Sequence, residues 1–372
     1  DVATGEVRWL TPEGHNEHAV RFSDDGHYLS ALRNEDSTVR PMVYDLATGE
    51  GRLLNLPPGF GVSGSFFDGG RKLLLTYNTD TRRPELLAYD LTAGTWQTLL
   101  PAEYGSIDPA LFVEHEYVSY PSSDGLEIPA ILYKPRSASA GARLPAIVLV
   151  HGGPTGQWFR NFNPYAQFLA DRGYVLLLPN VRGSTGYGVE FRDMNIKDWA
   201  GGDLEDVAAG AAYLKSLPYV DADRIGVFGG SYGGYMTFIA TVKKPDLWKA
   251  AVAWVGISDL HRLYESSMPH FKYYLRQMMG DPQTDADLWR DRSAIHFMGN
   301  LEARLFIVHG INDPRCPIEQ ARVVRDRLLE LGRVEGEDFE YVELGKEGHG
   351  SGDIEQKIRS YRLLADFMER RL

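Results

Sequence analysis

One short stretch constrains the fold more than any other. The run Arg224-Ile225-Gly226-Val227-Phe228 has the apolar character of a buried strand. It passes straight into Gly229-Gly230-Ser231-Tyr232-Gly233-Gly234, and Met236 to Val242 continue as an apolar helical stretch. A serine spaced G-x-S-x-G between strand and helix sits on a sharp, strained turn with its Oγ pushed outward. Larger flanking side chains would collide with the strand and helix, so the glycines are a steric requirement. The N–H groups after Ser231 open a helix, where partial positive charge favours an anion. The plainer reading is a Gly-rich turn with an incidental serine. The apolar strand before it and the helix after it favour a nucleophile.

The surrounding pattern fits that turn. From about Tyr117, apolar runs alternate with helical stretches, which indicates a parallel α/β sheet. Candidate strands are Ala130–Tyr133, Ala146–Val150, Val175–Leu178, Ile225–Phe228, Ala250–Val255, Leu305–Val308 and Phe339–Leu344. Apolar stripes at helical spacing run through Leu204, Val207, Ala211 and Leu214, through Val324, Leu328 and Leu331, and through Ile354, Ile358, Tyr361 and Leu364. The expectation for 113–372 is an α/β-hydrolase domain, a mostly parallel sheet with helices on both faces.

A serine nucleophile needs a base, and the base an orienting acid. In this fold they follow in the order Ser, Asp or Glu, His. The run Leu305–Val308 ends in His309-Gly310-Ile311-Asn312-Asp313-Pro314-Arg315, so Asp313 lies in a loop at a strand's C-terminal end. The last strand ends in Gly345-Lys346-Glu347-Gly348-His349-Gly350. Asp313 is the candidate acid and His349 the candidate base. Asp259 is an alternative acid, and His309 and His151 are alternative bases. For the oxyanion, the backbone N–H of Tyr232 is one donor. The loop His151-Gly152-Gly153-Pro154 supplies the second, with Gly153 preferred and Gly152 next.

The first hundred residues are built differently. Asp1-Val2-Ala3-Thr4-Gly5-Glu6 returns as Asp45-Leu46-Ala47-Thr48-Gly49-Glu50 and again as Asp90-Leu91-Thr92-Ala93-Gly94. A period of about 45 residues suits a four-stranded propeller blade. Each copy reads as strand, tight turn and strand, with Asp and Gly supplying side-chain hydrogen bonds and positive φ. The expectation for 1–112 is a partial β-propeller of about two blades plus part of a third. Such a ring cannot close and would leave strand edges open. The chain is therefore expected to be the C-terminal piece of a longer protein, whose missing propeller portion is its natural partner. The alternative is a small two-sheet β domain that covers its own edges.

Composition narrows the function. The formal net charge of −12 over 372 residues, with no Lys/Arg-rich run, argues against nucleic-acid binding. The single cysteine, Cys316, excludes an intrachain disulfide and suits a reducing, cytoplasmic setting; it reads as a small buried hydrophobe. No apolar run approaches the ~20 residues of a membrane span. No metal-ligand spacing or dinucleotide fingerprint appears, so no metal or cofactor is expected.

With these motifs in place, the chain resembles the prolyl oligopeptidase family of serine peptidases, most closely its acylaminoacyl-peptidase branch. The resemblance rests on Gly229 to Met236, on His151-Gly152-Gly153-Pro154 and on Asn180-Val181-Arg182-Gly183-Ser184-Thr185-Gly186-Tyr187-Gly188. It implies a short-peptide substrate and a Ser-His-Asp acyl-enzyme mechanism. It also implies that Arg315, two residues after the acid, binds a substrate carbonyl, and that Arg182 is structural. Where prolyl oligopeptidases and dipeptidyl peptidases place a Tyr hydroxyl toward the oxyanion, this chain has His151, which points away from strict proline specificity. Release of a blocked N-terminal residue is the leading expectation. Dipeptidyl peptidase, carboxypeptidase or carboxylesterase action are the alternatives. Tyr235, Trp254 and Tyr264 are candidate substrate-pocket aromatics, and open propeller edges make a homo-oligomer plausible.

Overall fold

The computed structural model describes residues 3–372. They divide into two compact units: one that runs to His115 and takes in Phe159–Gln167 and Gly186–Gly188, and the remainder.

The first unit holds two four-stranded antiparallel sheets in plain sequence order. One is β1 (Asn16–Phe22), β2 (Tyr28–Glu35), β3 (Thr38–Asp45) and β4 (Gly51–Leu53); the other is β5 (Phe60–Phe67), β6 (Lys72–Asn78), β7 (Glu85–Asp90) and β8 (Thr95–Leu100). Repeated sequence gives repeated turn chemistry. Asp45 accepts from the N–H groups of Ala47 and Thr48 at 2.9 and 3.1 Å, and Gly49, at φ 82°, returns its N–H to the Asp45 carbonyl. Asp90 does the same with Thr92, Ala93 and Gly94. Val43 of the first sheet and Leu54, just past its last strand, share a core with Leu73, Leu75, Leu87 and Tyr89 of the second.

The expected part of a third blade is corrected. Asp1 and Val2 lie outside the described residues, Ala3 and Thr4 form a turn, and no strand precedes Asn16 in 3–15. The first copy of the motif keeps a turn at Ala3 and Thr4 but is not followed by a strand within 5–15. Chain order also suggests one boundary, at 112/113. Two short excursions join the sheets from beyond it: the Arg160 N–H reaches the Ser37 carbonyl at 2.8 Å, and the Phe162 N–H reaches Asn78 at 2.9 Å.

The second unit is an α/β-hydrolase fold. Its strands are β9 (His115–Pro121), β10 (Glu127–Tyr133), β11 (Leu144–Val150), β12 (Val175–Pro179), β13 (Val220–Gly230), β14 (Ala250–Trp254), β15 (Arg304–Gly310) and β16 (Phe339–Leu344). They form one sheet in the order β16-β15-β14-β13-β11-β12-β10-β9. Every pairing from β12 to β16 is parallel, and β10 runs antiparallel to β12. The helices are α1 (Pro164–Asp171), α2 (Val189–Asp193), α3 (Gly202–Ser216), α4 (Tyr232–Lys243), α5 (Leu260–Ser266), α6 (Pro269–Met279), α7 (Ala286–Asp291), α8 (Glu319–Glu330) and α9 (Ile354–Arg371). The alternation of a strand sends its side chains to opposite layers. Leu305 and Ile307 join the core built with α3, α4 and α8, whereas Phe306 stacks on Phe367 of α9 at 5.1 Å. The sheet is thus covered on both faces, as a parallel sheet requires. After β11 the chain builds β12 on one side and then returns to build β13 on the other. This reversal opens a crevice at the strands' C-terminal ends.

Candidate active site

The site is assembled from loops at the C-terminal ends of β11, β13, β14, β15 and β16. Ser231 bridges β13 and α4 at φ 58° and ψ −117°, a conformation few non-glycine residues hold. Such strain persists only where the surroundings overdetermine it. Here the Ser231 N–H donates to the Trp254 carbonyl at 3.0 Å, and its own carbonyl accepts from Tyr235 N–H at 2.9 Å. A Cβ on Gly229 would lie 2.4 Å from the Gly233 backbone, and one on Gly233 would lie 2.2 Å from the Val150 carbonyl. The elbow is therefore closed to any side chain at these two positions.

Asp313 and His349 are 36 residues apart in sequence and meet in space: His349 Nδ1 donates to Asp313 Oδ2 at 2.7 Å. The other carboxylate oxygen accepts from the N–H groups of Arg315 and Cys316 at 2.8 and 2.9 Å. Burial alone would raise the Asp313 pKa, but the His349 hydrogen bond and the two N–H donors outweigh it and hold the carboxyl below its usual range. The Asp313 side chain is fully buried, and the His349 ring is 19% exposed.

Cys316 lies beside this pair. Its sulfur is within 4.8 Å of the Asp313 and His349 donor atoms, and the nearby Ser231 side chain slightly favours its thiolate. Burial, with the Asp313 charge next, pushes the thiol pKa well up. The thiol is inert as a nucleophile in this state. Asp313, Cys316 and His349 are also the group of potential metal donors that the described residues bring together, an assembly no sequence spacing announces. The oxygen and nitrogen of that group already share a hydrogen bond.

The other expected residues fall as follows. Gly152 lies against Ser231, since a Cβ there would stand 3.6 Å from Ser231 Cβ. Gly153 follows at φ 140°, and both glycines are exposed. Arg315 is exposed beside Asp313, and Trp254 is half-buried at the end of β14. Tyr235 is corrected: it is fully buried in α4, packs against Trp199 and Tyr232, and donates its hydroxyl to the Arg292 carbonyl at 2.9 Å. It is part of the hydrophobic core. Tyr264 packs edge-on against Trp289 at 5.6 Å.

The alternatives have structural employment. Asp259 caps α5 through the Arg262 N–H at 3.1 Å. His309 is buried with Nε2 on the Cys316 carbonyl at 2.7 Å, and burial lowers its pKa. His151 is held by the Gly152 carbonyl and by Ser184 Oγ at 2.8 and 2.9 Å. Arg182 grips Asp206 at 2.7 Å and Asp124 at 2.8 Å, and Asp206 also accepts from Ser122 at 2.6 Å.

Sequence reasoning missed Asp203. It lies in the first turn of α3, fully buried, and accepts from the Tyr232 hydroxyl and from Asn195 Nδ2, the latter at 2.9 Å. Burial raises its pKa to about 7, and Tyr232 and Asn195 pull against that rise. Asp203 and Asp206, three residues apart, were the available signal: two acids on an otherwise apolar helix face.

Comparison with known proteins follows this geometry. The model of the prolyl oligopeptidase family matches residues 160–372. Dipeptidyl aminopeptidase BIII of Pseudoxanthomonas mexicana is 33% identical over 273 residues, covering 70% of this chain and 39% of that protein. The acylaminoacyl peptidase of Pyrococcus horikoshii superposes with a TM-score of 0.84 at 28% identity, covering 96% of this chain and 56% of that one. A puromycin hydrolase structure shares the fold, with a TM-score of 0.90 at 22% identity over 100% of this chain and 57% of that one. The chain therefore spans well under two thirds of the length of the relatives it matches.

Proposed function

Because the chain belongs to the prolyl oligopeptidase family, we propose that it is the catalytic part of a serine peptidase acting on short peptides. The observation that carries this reading is the Asp313–His349 hydrogen bond, set beside a serine on a strained elbow. In the reaction, Ser231 Oγ attacks the scissile carbonyl carbon. His349 Nε2 takes the hydroxyl proton and then delivers it to the leaving amine; the C–N bond breaks, the C-terminal fragment departs, and the N-terminal fragment stays on Ser231 as the acyl-enzyme. Asp313 holds the ring in the tautomer with Nδ1 protonated and stabilises the imidazolium. Water, deprotonated by the same His349, then releases the acyl group. The N–H groups of Tyr232 and Gly153, with Gly152 the alternative, receive the oxyanion; one such donor is worth roughly 3–4 kcal/mol. Arg315, exposed beside the acid, is placed to bind a substrate carbonyl by charge-assisted hydrogen bonds.

The preferred substrates are peptides with a blocked N-terminal residue. The likeness to an acylaminoacyl peptidase and the His151 in place of a Tyr support this. A second reading, release of N-terminal dipeptides, is favoured by the 33% identity to a dipeptidyl aminopeptidase. We further propose that the two antiparallel sheets are propeller blades, on the grounds of their four-stranded meander and repeated turns.

A fluorophosphonate probe is expected to label wild-type protein at Ser231 and to leave Ser231→Ala unlabelled. Anilides of acetylated amino acids, free dipeptides and C-terminally blocked peptides then rank the two specificities. A wild-type protein that takes no label, or a Ser231→Ala variant with full peptidase activity, would overturn the proposal.

A further inference from the structure

Tyr232 carries the N–H that the proposed reaction aims at the oxyanion. It is the first residue of α4, where a backbone N–H has no partner inside the helix. Its peptide plane is held on one side by the Ser231 carbonyl, which accepts from the Tyr235 N–H at 2.9 Å, and its side chain supplies a second hold. The ring is enclosed by Trp199, edge-on at 5.1 Å, and by Tyr235 at 5.3 Å. The hydroxyl donates to Asp203 Oδ2.

Asp203 is itself fixed from several sides. Asn195 Nδ2 donates to the same oxygen at 2.9 Å, and the Leu204 N–H donates to the other at 2.9 Å. Two further carboxylates face it. Asp206 is neutralised by Arg182, and Asp198 pairs with Arg292 at 3.3 Å. A carboxyl in such surroundings costs stability unless its partners compensate. Core packing alone would favour a leucine here.

We infer that Asp203 is a positioning residue: through the Tyr232 hydroxyl it fixes the direction of the Tyr232 N–H. It touches no substrate. The inference rests on the peptidase reading above and deepens it, adding a support behind the oxyanion site that lies 28 residues before the nucleophile in sequence. A small tilt of a donor is sufficient to matter, since misplacement on the order of 1 Å costs about 100-fold in rate.

The test uses Tyr232→Phe, Asp203→Leu and the double variant, with kcat and KM on a peptide anilide, the Ki of a peptide boronate and thermal unfolding. Each single variant is expected to lower kcat by about 10- to 30-fold with KM within about threefold. Boronate affinity should fall in step, because the boronate occupies the same hole. The double variant is expected to be no slower than the worse single. It should also be more stable than Asp203→Leu, because removing both partners leaves no orphaned buried hydroxyl. A purely structural pair behaves otherwise, since kcat would then recover in the double variant together with stability. That recovery, or wild-type kcat in Tyr232→Phe, would overturn the inference while fluorophosphonate labelling of Ser231 left the peptidase reading intact. A wild-type protein that takes no label would overturn both.

Discussion

The two units solve the problem of placing polar groups in opposite ways. In the paired sheets, a single carboxylate organises each turn from within its own four residues. Asp45 and Asp90 bind N–H groups two and three positions ahead, and a glycine closes the turn. In the hydrolase unit, the polar groups that matter come from distant segments. Asp313 meets His349 across 36 residues, and Asp203 meets Tyr232 across 29. Burial differs accordingly. β8 is exposed along its whole length, whereas every residue of β12 is buried. Local turn chemistry tolerates such edges. A long-range polar pair instead needs a packed layer around it to exclude water and fix its geometry.

The largest expected effect tests the long-range side of this contrast. Asp313→Asn keeps the shape of the acid but leaves His349 in the wrong tautomer, so kcat should fall by about 10⁴-fold with the fold unchanged. A loss under about tenfold would mean that another group orients the ring.

The next effect is on stability. Asp203 holds its proton up to about pH 7 in the folded chain, whereas an unfolded Asp releases it near about 3.9. Between those values the folded state binds more protons, so stability present at low pH is lost as pH rises toward 7. Asp203→Leu does not titrate at this position. The difference between wild type and this variant should therefore move against wild type by up to about 4 kcal/mol between pH 4 and pH 7.5, read by urea unfolding. A flat difference would show that the buried pair holds an ordinary carboxylate.

Smaller changes sharpen the contrast. Arg315→Ala should raise KM about tenfold with kcat nearly unchanged, because a substrate-carbonyl contact made equally in ground and transition states affects binding alone. Asp45→Ala and Asp90→Ala should each cost about 1 kcal/mol in unfolding free energy and leave peptidase kinetics unaltered. Unequal costs for these two would show that the repeated turns are not equivalent.

Much of the molecule was legible beforehand, for reasons visible in particular residues. Continuous apolar runs located β10 to β16, and period-3.6 stripes located α3, α8 and α9. The spacing of Gly229, Ser231 and Gly233 announced an elbow because only glycine fits there. The strand-end placement of Asp313 and His349 singled out two residues that the structure joins by a hydrogen bond. β9 was not singled out, because His115–Pro121 is mostly half-exposed and lacks a continuous apolar run. Tyr235 was misplaced because an aromatic beside a motif looks the same in sequence whether it faces a pocket or the core.

The amino-acid sequence by itself determined the parallel sheet, the elbow, the order of the candidate residues Ser231, Asp313 and His349, and the turn chemistry of the repeats. Each of these is written in contiguous residues or in a short periodic pattern. Only the tertiary structure decided that Cys316 joins Asp313 and His349, that Gly152 lies against Ser231, and that Asp203 receives the Tyr232 hydroxyl. These pairings have no local signature. They arise where strands far apart in sequence end side by side, and a buried polar group takes whichever partner the packed layers bring within hydrogen-bond reach.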